Sequence, residues 1–285
     1  MNAVSDPSAA ERVAALPPLR DAIARHGLNA RHALGQHFLL DANLVGRIVR
    51  QAGDLAGRHV VEVGPGPGGL TRALLASAAA GIVAVELDAR AVGLIEELAE
   101  GFEGRLRVVA ADAMKLDLTT LVPTPRQIIA NLPYNVASPL LIGWLRQAAQ
   151  WERFTLMFQD EVAERICAAP DTPAYGRLSV IVQFVCHAEY RMRIPPSAFV
   201  PPPKVNSAVV TLTPRADLPA PDLFSAMERL TAAAFGQRRK MLRGSLKSVG
   251  GERLLAAAGI DGVRRAETLS VAEFARLATL LLENA

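Results

Sequence analysis

The stretch V-E-V-G-P-G-P-G-G at residues 61–69 decides the fold. Together with the preceding residues it makes H-V-V-E-V-G at 59–64, a short β-branched run that ends in glycines. That pattern predicts a buried strand entering a turn, with a helix starting near Gly68. Working outward, the same kind of run recurs as G-I-V-A-V-E-L at 81–87, L-R-V-V-A-A-D at 106–112, Q-I-I-A-N-L at 127–132 and F-T-L-M-F-Q at 154–159. Helical patterns lie between them, notably at 89–100 and 139–150. Strands alternating with helices imply parallel βαβ units with right-handed crossovers, and a doubly wound core with both sheet faces covered.

Beyond Gly176 the sequence offers two longer strand candidates, 178–192 and 205–213, joined by a proline-rich loop from Pro195 to Pro203. They are expected to close the sheet as an antiparallel edge pair. Residues 214–221 read as a linker, and helical periodicity follows at 223–235, 252–258 and 271–283. The expected organisation is a loosely held arm over 1–30 with a short helix at 13–23, an α/β domain over 31–215, and a small helical domain over 216–285.

Composition narrows the class without choosing a function. In 285 residues, 51% are hydrophobic and 21% charged, away from the signature of disorder, and the net charge is only +3. Cys167 and Cys186 lack the spacing of a metal or redox motif, so no metal is expected. No apolar run approaches the ~18 residues of a membrane span, and Asp6, Pro7 and Glu11 break the pattern of a signal peptide. A soluble, cytoplasmic protein without a membrane partner is the expectation.

Gly64, Gly66 and Gly68 stand between a strand and a helix, where a chain without side chains lets a ligand come close. The spacing is similar to a dinucleotide fingerprint, which leaves two ligands open: a nicotinamide cofactor, whose pyrophosphate needs a helix N-terminus, or S-adenosyl-L-methionine, which has no phosphate. Asp112 and Glu62 separate them, whereas Glu86 suits either. Glu86 ends the next strand, where it would accept from ribose hydroxyls. Asp112 ends the third beside Ala113, where it would accept from an adenine amino group. Glu62 lies inside the first strand, where it would suit a cationic amino group and repel a pyrophosphate.

Asn131-Leu132-Pro133-Tyr134 follows the fourth strand directly. It joins a side-chain amide, a carbonyl directed by the following proline, and an aromatic face. Such a set can hold a planar amine. The N6 of adenine is a poor nucleophile because its lone pair is delocalised, and accepting its hydrogens on Asn131 and on the Leu132 carbonyl would favour pyramidalisation. Tyr134 would stack on the extruded base, and Phe199, in the proline-rich loop, would supply a second face. The plainer alternative is a rigid turn in which Asn131 caps, Tyr134 packs and Phe199 fills a loop.

These residues resemble the dimethyladenosine transferases of small-subunit rRNA, a family related to the erythromycin-resistance rRNA methylases. The likeness runs from about 34 to 215. It is carried by L-G-Q-H-F-L at 34–39, V-E-V-G-P-G-P-G at 61–68, V-E-L-D at 85–88, D-A at 112–113, N-L-P-Y-N at 131–135, Y-G-R-L-S-V at 175–180 and P-P-S-A-F-V-P-P-P-K-V at 195–205. The resemblance implies a Rossmann-like class I methyltransferase, with a mostly parallel seven-stranded sheet, helices on both faces and a small all-helical C-terminal domain. It implies transfer of four methyls from S-adenosyl-L-methionine to two adjacent adenosines in the 3′-terminal hairpin of 16S rRNA. The partner would be an immature 30S subunit and the enzyme a monomer.

Carried over by position, His37 and Leu39 would border the cofactor, Leu39 through its backbone. Gly64, Gly66, Glu86, Asp112 and Ala113 would hold the methionine, ribose and adenine parts, and Asn131 would close the site beside the methyl. His37 is a departure, since many relatives have asparagine there. The segment 237–247 has five cations, Arg238, Arg239, Lys240, Arg243 and Lys247, and no acid. Such a stripe suits phosphate contacts, with a solvated helix face as the alternative. Rival readings are methylation of large-subunit rRNA or DNA adenine, an RNA-binding assembly factor without turnover, and, weakest, a dehydrogenase.

Overall fold

The computed structural model describes residues 8–28, 36–237 and 239–283. The strand expected at 59–64 forms as β2 (His59–Val63), preceded by a short β1 (Phe38–Leu39). It is followed by β3 (Gly81–Glu86), β4 (Leu106–Ala110), β5 (Arg126–Asn131) and β6 (Arg153–Gln159). Then come β7 (Cys186–Ile194), β8 (Phe199–Val200) and β9 (Ser207–Pro214). Among the described residues, seven of these form one sheet in the order β4-β3-β2-β5-β6-β9-β7, and β1 pairs antiparallel with β8 as a separate ribbon. The pairs β2–β3, β2–β5, β3–β4 and β5–β6 are all parallel.

Burial explains the unbroken apolar runs. β2, β3, β5 and β6 are covered along nearly their whole length, so both faces of each strand must be apolar. β7, at one edge of the sheet, instead exposes His187, Glu189, Tyr190, Arg191 and Arg193, and its charges discourage another strand from adding there. The charge buried in β5 has a different cause. Arg126 is 7% exposed, and its guanidinium donates to the carbonyls of Thr119, Val122 and Gln150 and to Gln150 Oε1, with the Trp151 ring 5.4 Å away. A cation with its donors spent on carbonyls ties the entry of β5 to the ends of two neighbouring segments.

Two expectations need correction. Residues 178–192 are not one strand: Arg177–Val185 is a helix, and β7 starts only at Cys186. The run L-S-V-I-V-Q-F-V favours a strand by composition, but here most of the helix surface is buried, and packing outweighs propensity. The described part of the arm, residues 8–28, is also not loose. Its helices Ala9–Ala14 and Leu19–Arg25 are separated at Pro17-Pro18, and the first starts from a capping box between Ser8 and Glu11. Ala22 and Leu28 are buried, Arg12 lies 4.8 Å over the Phe102 ring, and Arg72 donates to the Pro17 carbonyl at 2.6 Å.

The chain forms two compact units. One comprises Met1–Leu141, Gln150–Asp160 and Arg191–Thr211, the other Ile142–Ala149, Glu161–Tyr190 and Leu212–Ala285. The second is larger than the expected 216–285. It gathers the helices Arg177–Val185, Pro221–Gly236 and Val271–Glu283 around a core that includes Tyr175, Leu230 and Phe274.

Candidate active site

The sheet order reverses between β2 and β5: the chain proceeds from β2 outward to β3 and β4, then returns to β5 on the other side. Loops leaving the carboxyl ends of β2 and β5 therefore diverge, and the crevice they leave is where open α/β sheets bind ligands. A cavity of about 550 Å³ opens there. It is lined by Glu62 of β2 and from four segments: 36–39, the turn after β2 within 64–70, residues 86–90 after β3, and Asn131–Val136 after β5.

The floor is the glycine turn. Gly68 has φ +88 and caps the helix Gly69–Leu75, a left-handed geometry that side chains resist. A Cβ on Gly69 would sit 2.3 Å from the Leu39 carbonyl oxygen, so only glycine lets β1 lie across the start of this helix.

Two buried glutamates face this floor differently. Glu86 accepts hydrogen bonds from the backbone N–H groups of Gly66 (3.1 Å), Leu87 (2.8 Å) and Asp88 (2.8 Å). Burial still raises its carboxyl above the ordinary value, against the pull of these three donors. Glu62 is 1% exposed, and neither carboxyl oxygen has a hydrogen-bond partner. Burial pushes it up to about 8, with the nearby Thr71 hydroxyl pulling the other way and the Glu86 charge adding to the rise. Asp88 goes in the other direction: the Arg90 guanidinium, with help from Gln36, holds it down at about 2. A cavity wall carrying an orphaned, buried carboxyl is prepared for a cation that would restore its charge.

At the other end, Asn131 Nδ2 donates to the His37 backbone carbonyl at 3.3 Å. A carbonyl only accepts, so this contact fixes which end of the amide is which and leaves Oδ1 as the end not used there. Tyr134 OH is 2.6 Å from Ser207 Oγ at the start of β9, and its ring stacks on the His37 imidazole with centroids 5.6 Å apart. Leu132, between them, is buried.

Of the residues singled out in the sequence, His37, Leu39, Glu62, Gly64, Gly66, Glu86, Asn131, Leu132 and Tyr134 line this one cavity. Asp112 and Ala113 do not. Asp112 accepts from the Met114 N–H at 2.9 Å, closing its own turn after β4. Phe199 does not line the cavity either; β8 pairs Phe199 with Leu39, which draws its ring into the core, 2% exposed. Gln36, Leu87, Asp88 and Arg90 join the lining without having been singled out, although V-E-L-D places Asp88 two residues beyond Glu86. Arg239, Lys240, Arg243 and Lys247 belong to the helical unit and are exposed; Arg238 lies outside the described residues. Among the described residues, no cluster of three metal-ligating side chains is found, and no helix is long and apolar enough to cross a membrane.

Comparison with known proteins agrees with this fold. Ribosomal RNA small subunit methyltransferase A of Gluconobacter oxydans is 65% identical over 94% of this chain and 89% of its own length. The protein of that name from Paramagnetospirillum magneticum is 56% identical over 94% and 96%. Among solved structures, a dimethyladenosine transferase from Plasmodium falciparum superposes with a TM-score of 0.70 at 25% identity, covering 85% of this chain and 96% of that one. The 23S rRNA methyltransferase ErmE gives 0.64 at 25% identity over 86% and 99%. Residues 27–283 match the family described as ribosomal RNA adenine dimethylase, and the chain belongs to that family.

Proposed function

We propose that this protein transfers methyl groups from S-adenosyl-L-methionine to N6 of two adjacent adenosines in the 3′-terminal hairpin of 16S rRNA. Its substrate is the immature 30S subunit, and it acts as a cytoplasmic monomer. The observation that carries the reading is the Asn131 amide, held by the His37 carbonyl so that Oδ1 remains to accept from an amine, on the wall of a cavity that also contains the unpaired carboxyl of Glu62.

When bound, the cofactor supplies an electrophilic methyl on a sulfonium. Glu62 would face its cationic amino acid end, and Glu86, which holds the glycine turn through the Gly66 N–H, would accept from its ribose. Asp112, with Oδ1 committed to its own turn and Oδ2 3.9 Å from Lys115 Nζ, would accept from the adenine end, beside Ala113, in exchange for the Lys115 contact. Asn131 Oδ1 and the Leu132 carbonyl accept the two N6 hydrogens, drawing the nitrogen out of conjugation with the ring. Tyr134 stacks on the base. No side chain needs to remove a proton, since the methylated nitrogen releases it to water, and catalysis is mostly positioning. Arg239, Lys240, Arg243 and Lys247, with Arg238, contact RNA phosphates without reading sequence.

The test is transfer from labelled S-adenosyl-L-methionine to unmethylated 30S particles, with mass spectrometry locating the label. Wild-type protein yields dimethyladenosine in the 3′-terminal hairpin. Asn131→Ala lowers kcat by about 10²–10³, the scale of losing one transition-state acceptor or donor, while the cofactor Kd changes by less than about threefold. Label confined to 23S rRNA or DNA moves the reading to those substrates, and bound cofactor without transfer makes the protein an assembly factor. Replacing Arg239, Lys240, Arg243 and Lys247 with alanine lowers the slope of log affinity against log salt by about three, at 0.7–0.9 per phosphate contact. An unchanged slope removes the stripe from the RNA footprint.

A further inference from the structure

His37 touches three of the four residues that the sequence assigned to the base: Asn131, Tyr134 and Phe199. Its ring stacks on Tyr134 (5.6 Å, 29° between planes) and meets Phe199 edge-on (6.4 Å, 79°). Its Nδ1 is 2.8 Å from the Pro201 carbonyl oxygen, and its own carbonyl accepts from Asn131 Nδ2. Because the Pro201 oxygen only accepts, the proton of that contact is on Nδ1, which fixes the tautomer and the plane of the ring. The ring plane in turn sets where Tyr134 can lie, since its hydroxyl is already tied to Ser207 Oγ at 2.6 Å. β1 and β8 pair immediately beside these contacts, at Phe38–Val200 and Leu39–Phe199, so the imidazole spans the two segments at the end of a short ribbon.

We propose that the His37 side chain is a positioning residue of the base pocket, joining Tyr134 to the Pro201 loop. The inference rests on the proposed adenine chemistry for its kinetic effect but on geometry alone for the joint itself. Two halves of the side chain do two jobs: the ring keeps Tyr134 in its stacking plane, and the Nδ1 proton holds the loop that includes Phe199. A side chain with only one half loses part of the effect. His37→Phe stacks but cannot donate to Pro201, whereas His37→Asn donates but offers no ring.

The experiment is a double-mutant cycle of His37→Ala and Tyr134→Ala, read as kcat on unmethylated 30S particles, alongside calorimetric binding of S-adenosylhomocysteine. His37→Ala lowers kcat by about tenfold, the scale expected of a small misplacement near the chemistry. The Kd for S-adenosylhomocysteine stays within about twofold, and the double variant is no slower than Tyr134→Ala by more than about twofold, because the two residues act as one unit. His37→Phe and His37→Asn each recover part of the loss. A Kd that rises as much as kcat falls, or multiplicative losses in the double variant, overturns the proposal. Should wild-type protein fail to methylate 30S particles, the adenine reading fails by itself, and nitrogen-detected NMR of the histidines still decides the joint. His37 then shows a proton on Nδ1 and carbon-bound ring protons shifted by the Tyr134 ring current, a shift lost in Tyr134→Leu. The opposite tautomer, or a shift insensitive to Tyr134, overturns it independently.

Discussion

Glu62 and Glu273 are glutamates held in opposite ways. Glu62, near the carboxyl end of β2 in the α/β unit, is buried with both oxygens unpartnered and is pushed up to about 8. Glu273 opens the helix Val271–Glu283 in the helical unit. The Arg264 guanidinium meets it at 2.5 and 3.3 Å, Ser270 donates to it from backbone and side chain, and it is held down at about 2. The reciprocal bond from the Glu273 N–H to Ser270 Oγ completes a capping box. One glutamate has every partner its charge needs and works for the fold. The other, in the wall of the cavity, lacks them.

The comparison sharpens first at Arg126, a buried charge whose donors are satisfied like those around Glu273 but by carbonyls alone. Arg126→Met strands the carbonyls of Thr119, Val122 and Gln150 and costs about 3–5 kcal/mol in denaturant unfolding. A loss below about 1 kcal/mol would mean that burial is not what makes these contacts matter. Next is Glu62→Gln, which should stabilise the free protein. Between about 4.5 and about 8 the folded state keeps a proton that the unfolded chain releases, so wild-type stability falls as pH rises through that window and levels off above it. Glutamine has nothing to ionise, and its advantage grows from near zero at pH 4 to on the order of 3 kcal/mol at pH 7. Parallel stability curves for the two proteins would break the comparison. The smallest effect belongs to Glu273→Gln, a loss of about 1–2 kcal/mol at neutral pH from cap and ion pair. Its sign is the reverse: the wild-type contribution is full above about 4.5 and is lost as pH falls toward about 2, where variant and wild type converge.

Much of this arrangement is legible in the sequence because it is local. The strand runs are continuous since their strands are buried on both faces, and the helices at 89–100 and 271–283 start at Asp88 and Ser270, residues whose side chains accept from the first turn. Gly64, Glu86 and Asn131 each sit at the end of a strand in the same sheet, so their order along the chain already places them at one end of it. What escaped is what only the fold brings together. The segment 178–185 has strand composition, yet the helical unit buries it as a helix. His37 meets Asn131 across 94 residues and Pro201 across 164, separations at which no periodicity carries information. Phe199 looked like a free aromatic in a stiff loop, and the two-residue pairing with β1 that buries it is too short to leave a pattern.

The contact between Gly69 and β1 has a consequence for how this chain tolerates change. A methyl group at position 69 would meet the Leu39 carbonyl at 2.3 Å, and β1 would have to lift. Lifting β1 would move its pairing with β8 and with it the backbone that bears His37 and orients Asn131. Position 69 makes no chemical contribution of its own, yet it is closed to the other nineteen amino acids by geometry transmitted to the far wall of the cavity. Substitutions there should therefore look, in a mutational screen, like active-site lesions in a protein that still folds.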